Sequence, residues 1–305
     1  MLRDCVGLHV VAQTPFRADG AVDFESIDSL STFYYRHGAR GLTVLGVSGE
    51  AGKLTPDEAV AVASRYVAAS GDRRIIVGVS SASLAVLVEV THQVMAEGAD
   101  GVMICPPGSV RTDEDLMRYF EAVFERIGEV PVTLQDFPAA SGVKMSVPAI
   151  CRLLDAFPMI QVIKEEDLPS LGKISRLRAE QPREVRILTG NNGLYLPQEI
   201  ARGADGPMAG FSYPEMLSGV HSRMVDGDIG GAHDLFNGFL PLLRHEAQGE
   251  WGIALRKESL RRRGAIDCAA LRRPGPTLDE TDLAELDMIL SHMNRRIETL
   301  STVSA

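Results

Sequence analysis

The sequence predicts an α/β protein, a (β/α)8 (TIM) barrel followed by a C-terminal helical extension. Three observations carry that expectation. Eight short β-branched runs alternate with longer segments of helical period. The runs are apolar throughout instead of alternating, as in Ile75-Ile76-Val77-Gly78-Val79, which marks strands of a parallel sheet buried on both faces. The eight units occupy about 225 residues, which suits a closed barrel of roughly 250. An open doubly wound sheet would place a GxGxxG turn after its first strand, and none is present.

The candidate strands, in order, are Leu8–Ala12, Leu42–Gly46, Ile75–Val79, Gly101–Cys105, Val132–Gln135, Ile160–Lys164, Arg186–Thr189 and Gly206–Ala209. Parallel neighbours need a helical crossover to return the chain, and the helices announce themselves. Thr55-Pro56-Asp57-Glu58 offers an N-cap, a proline at the first helical position and a glutamate that completes a capping box. Leu84, Leu87, Val88, Thr91, Val94 and Met95 form one stripe at helical spacing, stopping at Gly98. Leu116, Phe120, Val123, Phe124 and Ile127 form another, stopping at Gly128. Past Asp228 no strand pattern remains. Three helical stretches, near 229–246, 251–263 and 279–301, flank the loop Arg273-Pro274-Gly275-Pro276, so the expected division is a catalytic barrel over 1–228 and an extension over 229–305.

Composition narrows the function. A net charge of −10 argues against nucleic acid or an anionic membrane surface as partner, since both require a basic face. The run Arg261-Arg262-Arg263 reads as a solvated helix face. The four cysteines, Cys5, Cys105, Cys151 and Cys268, are scattered without a CxxC pair, and the seven histidines without an HxxxH pair. No metal site, cofactor or disulfide framework is therefore expected. The acidic start Met1-Leu2-Arg3-Asp4-Cys5 does not read as a secretory signal, and a cytoplasmic protein is expected.

The chain holds five lysines: Lys53, Lys144, Lys164, Lys173 and Lys257. Four fall in loops or polar helical segments. Lys164 alone closes an apolar strand at its carboxyl end, the face at which barrel enzymes build their sites. A desolvated lysine has its charged form disfavoured, and the free amine is the nucleophile of Schiff-base chemistry. The bland alternative at this stage is a rim ion pair with Glu165 or Glu166.

Gly46-Val47-Ser48-Gly49-Glu50, Gln135-Asp136-Phe137-Pro138 and Ile163-Lys164-Glu165, together with Gly190, resemble the dihydrodipicolinate synthase / N-acetylneuraminate lyase superfamily of class I lyases. The resemblance spans nearly the whole chain. It implies a Schiff base at Lys164, a substrate-carboxylate loop at Gly46, Val47, Ser48 and Gly49, a 2-keto acid substrate, and a homo-oligomer, tetramer or dimer. The chain also departs from the pattern. Gln135 stands where the family's relay tyrosine would be, Ala140 near its carboxylate-clamping arginine, and Gly108 near the tyrosine lent across a subunit contact.

These departures are similar to one branch, the L-2-keto-3-deoxyarabonate dehydratases, which Leu134–Gly142, Glu166, the segment Ala209-Gly210-Phe211-Ser212-Tyr213-Pro214 and Arg244-His245-Glu246-Ala247-Gln248 resemble in turn. On that resemblance Lys164 is the nucleophile, Glu166 the acid/base and Gln135 an orienting group. Ser48 with the amides of Gly46–Gly49 holds the carboxylate, Gly190 and Ala209 lie beside the substrate, and Tyr213 either donates a phenolic proton or packs in the core. Competing expectations are a pyruvate-dependent aldolase or synthase, a deaminase of a hydroxypyrroline carboxylate, and a catalytically idle keto-acid sensor.

Overall fold

A computed structural model describes residues 2–303, with side chains through 299. Eight parallel strands close into one barrel: β1 His9–Val11, β2 Gly41–Val44, β3 Arg74–Gly78, β4 Gly101–Ile104, β5 Val132–Asp136, β6 Ile160–Glu165, β7 Arg186–Thr189 and β8 Gly206–Ala209. Each pairs with the next, and β8 returns to β1. All eight predicted strands are present, displaced by a residue or two at their ends.

The barrel interior is filled by alternate strand residues. Val11, Ile76, Met103, Val162, Leu188 and Met208 form a closed cluster with Leu2 and Cys5. Leu2 plugs the amino-terminal end, its amide held 2.7 Å from the Gln161 side-chain oxygen. Burying a leucine of this kind contributes about 1.5–3 kcal/mol. Two positions beyond Val162 on the same face of β6 comes Lys164, where apolar filling gives way to a charged side chain.

The outer ring comprises α1 Phe24–Arg36, α2 Pro56–Ser70, α3 Leu84–Ala96, α4 Asp113–Ile127, the single turn α5 Pro138–Ser141, α6 Val147–Ala156, α7 Ser170–Glu180, α8 Leu196–Ala201 and α9 Pro214–Asp226. Thr55 and Glu58 form the expected capping box, and Thr112 with Asp115 forms a second. The predicted stripes face inward: Leu87 and Val94 on α3, and Leu116, Phe120, Val123 and Ile127 on α4, are buried.

Three helices follow: α10 Ile229–His245, α11 Gly249–Arg262 and α12 Glu280–Val303. On α11 every residue from Gly252 to Leu260 is buried, charged ones included. Lys257, expected in a polar helical segment, is instead fully enclosed. Its ammonium donates to the carbonyls of Thr14 and Ala270 at 2.8 and 3.1 Å, pairs with Glu50 and lies over the Phe16 ring. The arginine run is likewise only partly a solvated face. Arg261 and Arg262 pair with Glu258, but Arg263 is folded back onto Glu215 and the rings of Phe33 and Tyr213. Among the described residues no helix is long and apolar enough to cross a membrane.

Between the barrel and α7 lies a buried acidic cluster. Asp136 and Glu165, partners in register on β5 and β6, point outward, and Lys173 of α7 pairs with Asp136 and with Asp167. Burial first, then the charge of Asp136, pushes the Glu165 carboxyl up from 4.5 to about 9. Such a group is protonated in the folded chain at neutral pH and ionised in the unfolded one. Its contribution to stability is therefore whole below pH 4.5 and is lost as pH rises toward 9.

Two outcomes follow from this frame. Thr55→Ala should lower the unfolding free energy by about 1 kcal/mol in a denaturant titration, with Thr55→Ser retaining most of it. Glu165→Gln should flatten the fall of stability between pH 5 and 9, as read from thermal midpoints against the parent chain (the pH bounds are about those set by the shifted carboxyl). Parallel profiles for the two proteins would contradict the outward, protonated carboxyl.

Candidate active site

The site is built by the pleat of β6. Side chains alternate along a strand, so Lys164 faces the barrel mouth while Glu165 faces the helices. The ladder does not stop at the end of the strand: the Glu166 amide donates to the Asp136 carbonyl at 2.9 Å. The alternation therefore carries one residue further, and Glu166 returns to the face of Lys164. Gln135 stands in register beside Lys164 on β5 and shares its orientation.

These three side chains meet on one atom. Lys164 Nζ lies 3.1 Å from Glu166 Oε2, and Gln135 Nε2 donates to the same oxygen at 2.7 Å. The other carboxylate oxygen accepts from the Asn191 amide at 3.3 Å. All three are nearly buried, with exposures of 4% for Lys164, 5% for Gln135 and 7% for Glu166. Even so they line an open cavity of about 570 Å³ at the carboxyl end of the strands. The rim ion pair weighed from sequence is thus present, and it sits in the cavity wall.

Gly190 serves this arrangement without touching the cavity. A Cβ built there would fall 2.1 Å from Glu166 Oε1, so the glycine is the room in which that carboxylate sits. The two residues after it, Asn191 and Asn192, both have positive φ, a conformation asparagine tolerates better than most residues, and both line the cavity.

The loop after β2 forms a 3₁₀ turn over Val47–Gly49. The amides of Gly49 and Glu50 close back on the carbonyls of Gly46 and Val47, so the leading amides of Val47 and Ser48 have no acceptor inside the turn. Val47 and Ser48 reach the cavity with Ala209. Gly49 lies behind them, its carbonyl accepting from Thr14 Oγ1 at 2.7 Å, and Gly46 backs onto Val11.

Tyr213 packs in the core. It precedes α9 with its ring against Phe211 and Phe239 and under the Arg263 guanidinium at 4.1 Å, and it does not line the cavity. Burial also pushes its phenol above the ordinary value. Gly210, three residues earlier, is the member of that segment that reaches the cavity with Ala209.

Sequence reasoning missed Arg256 and Asn192. Arg256 reaches the cavity from α11, donating to Ser48 Oγ at 3.1 Å, Asn192 Oδ1 at 2.9 Å and Glu246 Oε2 at 3.2 Å. Glu246 in turn accepts from the backbone amide and hydroxyl of Ser212, tying the loop after β8 to the end of α10. Two adjacent cations after the apolar Ile253-Ala254-Leu255 were the available signal.

A second cleft of about 350 Å³ shares Val47, Gln135 and Phe137 with the first. Its remaining wall includes Gly78, Ser80, Cys105, Gly108 and Ala140, and no charged side chain lines it. Burial pushes the Cys105 thiol up to about 11, which removes it as a nucleophile near neutral pH. Among the described residues no group of three His, Cys, Asp or Glu side chains converges to hold a metal ion.

Comparison with known proteins agrees with the barrel fold. The model of the Dihydrodipicolinate synthetase family matches residues 4–293. A 4-hydroxy-tetrahydrodipicolinate synthase of Sorangium cellulosum is 32% identical over 233 residues, covering 74% of this chain and 76% of that one. Another from Bifidobacterium longum is 29% identical over 284 residues, covering 90% and 91%. The crystal structure of dihydrodipicolinate synthase from Rhodopseudomonas palustris superposes with a TM-score of 0.93 at 41% identity, over 96% of this chain and 99% of that one. With a match running almost from end to end, the chain belongs to the dihydrodipicolinate synthetase family.

Proposed function

We propose that this protein is a Schiff-base-forming lyase that dehydrates a 2-keto-3-deoxy sugar acid, in the manner of an L-2-keto-3-deoxyarabonate dehydratase. The observation that carries this reading is the convergence of Lys164 and Gln135 on one oxygen of Glu166.

At 3.1 Å from Lys164 Nζ, Glu166 is within reach to take a proton from the ammonium, which leaves a neutral amine beside a carboxylic acid. The amine adds to the C2 carbonyl, water leaves, and the cationic imine draws electrons from the C3–H bond. Glu166, returned to its ionised form, takes the C3 proton. The enamine then expels the C4 hydroxyl as the same carboxyl group protonates it, so one water departs with no net change in oxidation. Removal of a C5 proton turns the C3–C4 alkene into a C4–C5 enol with the enamine restored, a proton returns to C3, and the enol becomes the C5 aldehyde; water then hydrolyses the remaining imine and frees Lys164. Gln135 cannot exchange a proton in this sequence, but its amide holds the carboxylate in place. Ser48 and the amides of Val47 and Ser48 suit the substrate's C1 carboxylate.

The neutral second cleft supports a hydroxylated, uncharged tail in preference to a second carboxylate. The names of the relatives favour a second reading, condensation of pyruvate with an aldehyde on the same imine. The absence of a tyrosine at position 135 and of a cation at position 140 weighs against it.

Product analysis separates the two. A 2-keto-3-deoxy pentonic acid should yield a semialdehyde and water; pyruvate plus an aldehyde would establish the aldolase instead. Glu166→Gln should lower turnover by about 10²–10⁴-fold while borohydride still traps the imine. An unchanged rate would remove Glu166 as the base.

A further inference from the structure

We infer that Arg256, delivered by the C-terminal extension, is a binding residue for the C1 carboxylate of the 2-keto acid, acting together with Ser48. The inference rests on the Schiff-base reading above and adds to it a cation on the substrate's acid group.

Arg256 is 2% exposed, yet its guanidinium forms part of the wall of the cavity that Lys164 also lines. Its donors are unevenly engaged. Nε is met by Glu246 Oε2, and Nη2 by Asn192 Oδ1 and the Glu246 carbonyl. Nη1 carries two N–H groups and has one acceptor among the described residues, Ser48 Oγ. Arginine has five N–H donors in a rigid fork, so a second Nη1 hydrogen is available to a ligand.

The contact also sets the direction of Ser48. Because its hydroxyl oxygen accepts from Arg256, its own hydrogen must point elsewhere, and no acceptor among the described residues takes it. Gly210 keeps the space before both groups clear. A Cβ there would stand 3.3 Å from Nη1 and 3.6 Å from Ser48 Oγ. Two donors from residues 208 positions apart thus border the space left by Gly210, and Ser48 belongs to the Val47–Gly49 turn, whose leading amides have no acceptor inside it. A planar carboxylate with two oxygens matches such a set.

Glu246 explains how the cation is kept buried before substrate arrives. It is fully enclosed, and burial raises its carboxyl while Arg256 opposes the rise. The pair is neutral as a unit, so an incoming carboxylate adds a charge the site can accept at Nη1 without first breaking the Nε contact.

The test compares pyruvate with its uncharged methyl ester, by calorimetric binding and by borohydride trapping on the full chain. Arg256→Met alone would strand Glu246 in the interior, so Arg256→Met is read in a Glu246→Gln background against Glu246→Gln by itself. The double variant should bind pyruvate about 10- to 100-fold more weakly, the range of a lost charge-assisted contact, with the methyl ester unaffected. Arg256→Lys should retain part of the discrimination. Pyruvate affinity within twofold of the Glu246→Gln reference overturns the assignment, as does an equal loss for acid and ester, which would mark a merely structural arginine. Failure to trap any adduct on the parent chain would sink the Schiff-base reading, and calorimetry would still decide Arg256. Absence of pyruvate binding by the parent chain overturns both.

Discussion

The hydrogen bond from the Glu166 amide to the Asp136 carbonyl extends the β5–β6 ladder one residue past β6, and the chemistry of the site depends on that extension. A strand that ended at Lys164 would leave the next two side chains free to turn anywhere. With the ladder continued, the two-residue alternation sends Lys164 and Glu166 to the mouth and Glu165 to the helices. Adjacent carboxylates thereby acquire opposite surroundings. One meets an amine and an amide in an open cavity, the other is sealed against Asp136 and held protonated.

The same logic of paired burial recurs around the mouth. Lys164 is matched by Glu166, Arg256 by Glu246, and Lys257 by Glu50. Buried ion pairs add little net stability, because desolvation offsets most of the attraction. Losing one member, however, strands the other and costs about 3–5 kcal/mol. Such pairs therefore fix geometry. Lys257 and Arg256 pin α11 against the loops after β1, β2 and β7, and the extension becomes part of the cavity wall rather than an appendage to it.

The barrel was legible in the sequence because its determinants are local. Continuous apolar runs, a capping box at Thr55 and stripes ending at Gly98 and Gly128 each span a few residues. Lys164 was legible for the same reason, as the one lysine closing an apolar strand. Arg256 and Lys257 were not, because a cation on a helix reads as solvated until its partner is known, and Lys257 meets Glu50 207 residues away. The missing side chain of Gly190 makes room for Glu166, a contact no spacing rule reveals. For Tyr213 the sequence left a proton donor and a core residue open; its turn into α9 directs the ring to Phe239 and Arg263.

The proposed covalent chemistry falls on a single amine in a chain with five lysines, of which Lys53 lines the same cavity as Lys164. Peptide mapping by mass spectrometry after borohydride reduction in the presence of pyruvate measures that choice directly. The adduct should appear on the peptide containing Ile163-Lys164-Glu165 and on no other. Modification of Lys53 or Lys257 in its place, or full activity in a Lys164→Arg chain, would contradict it.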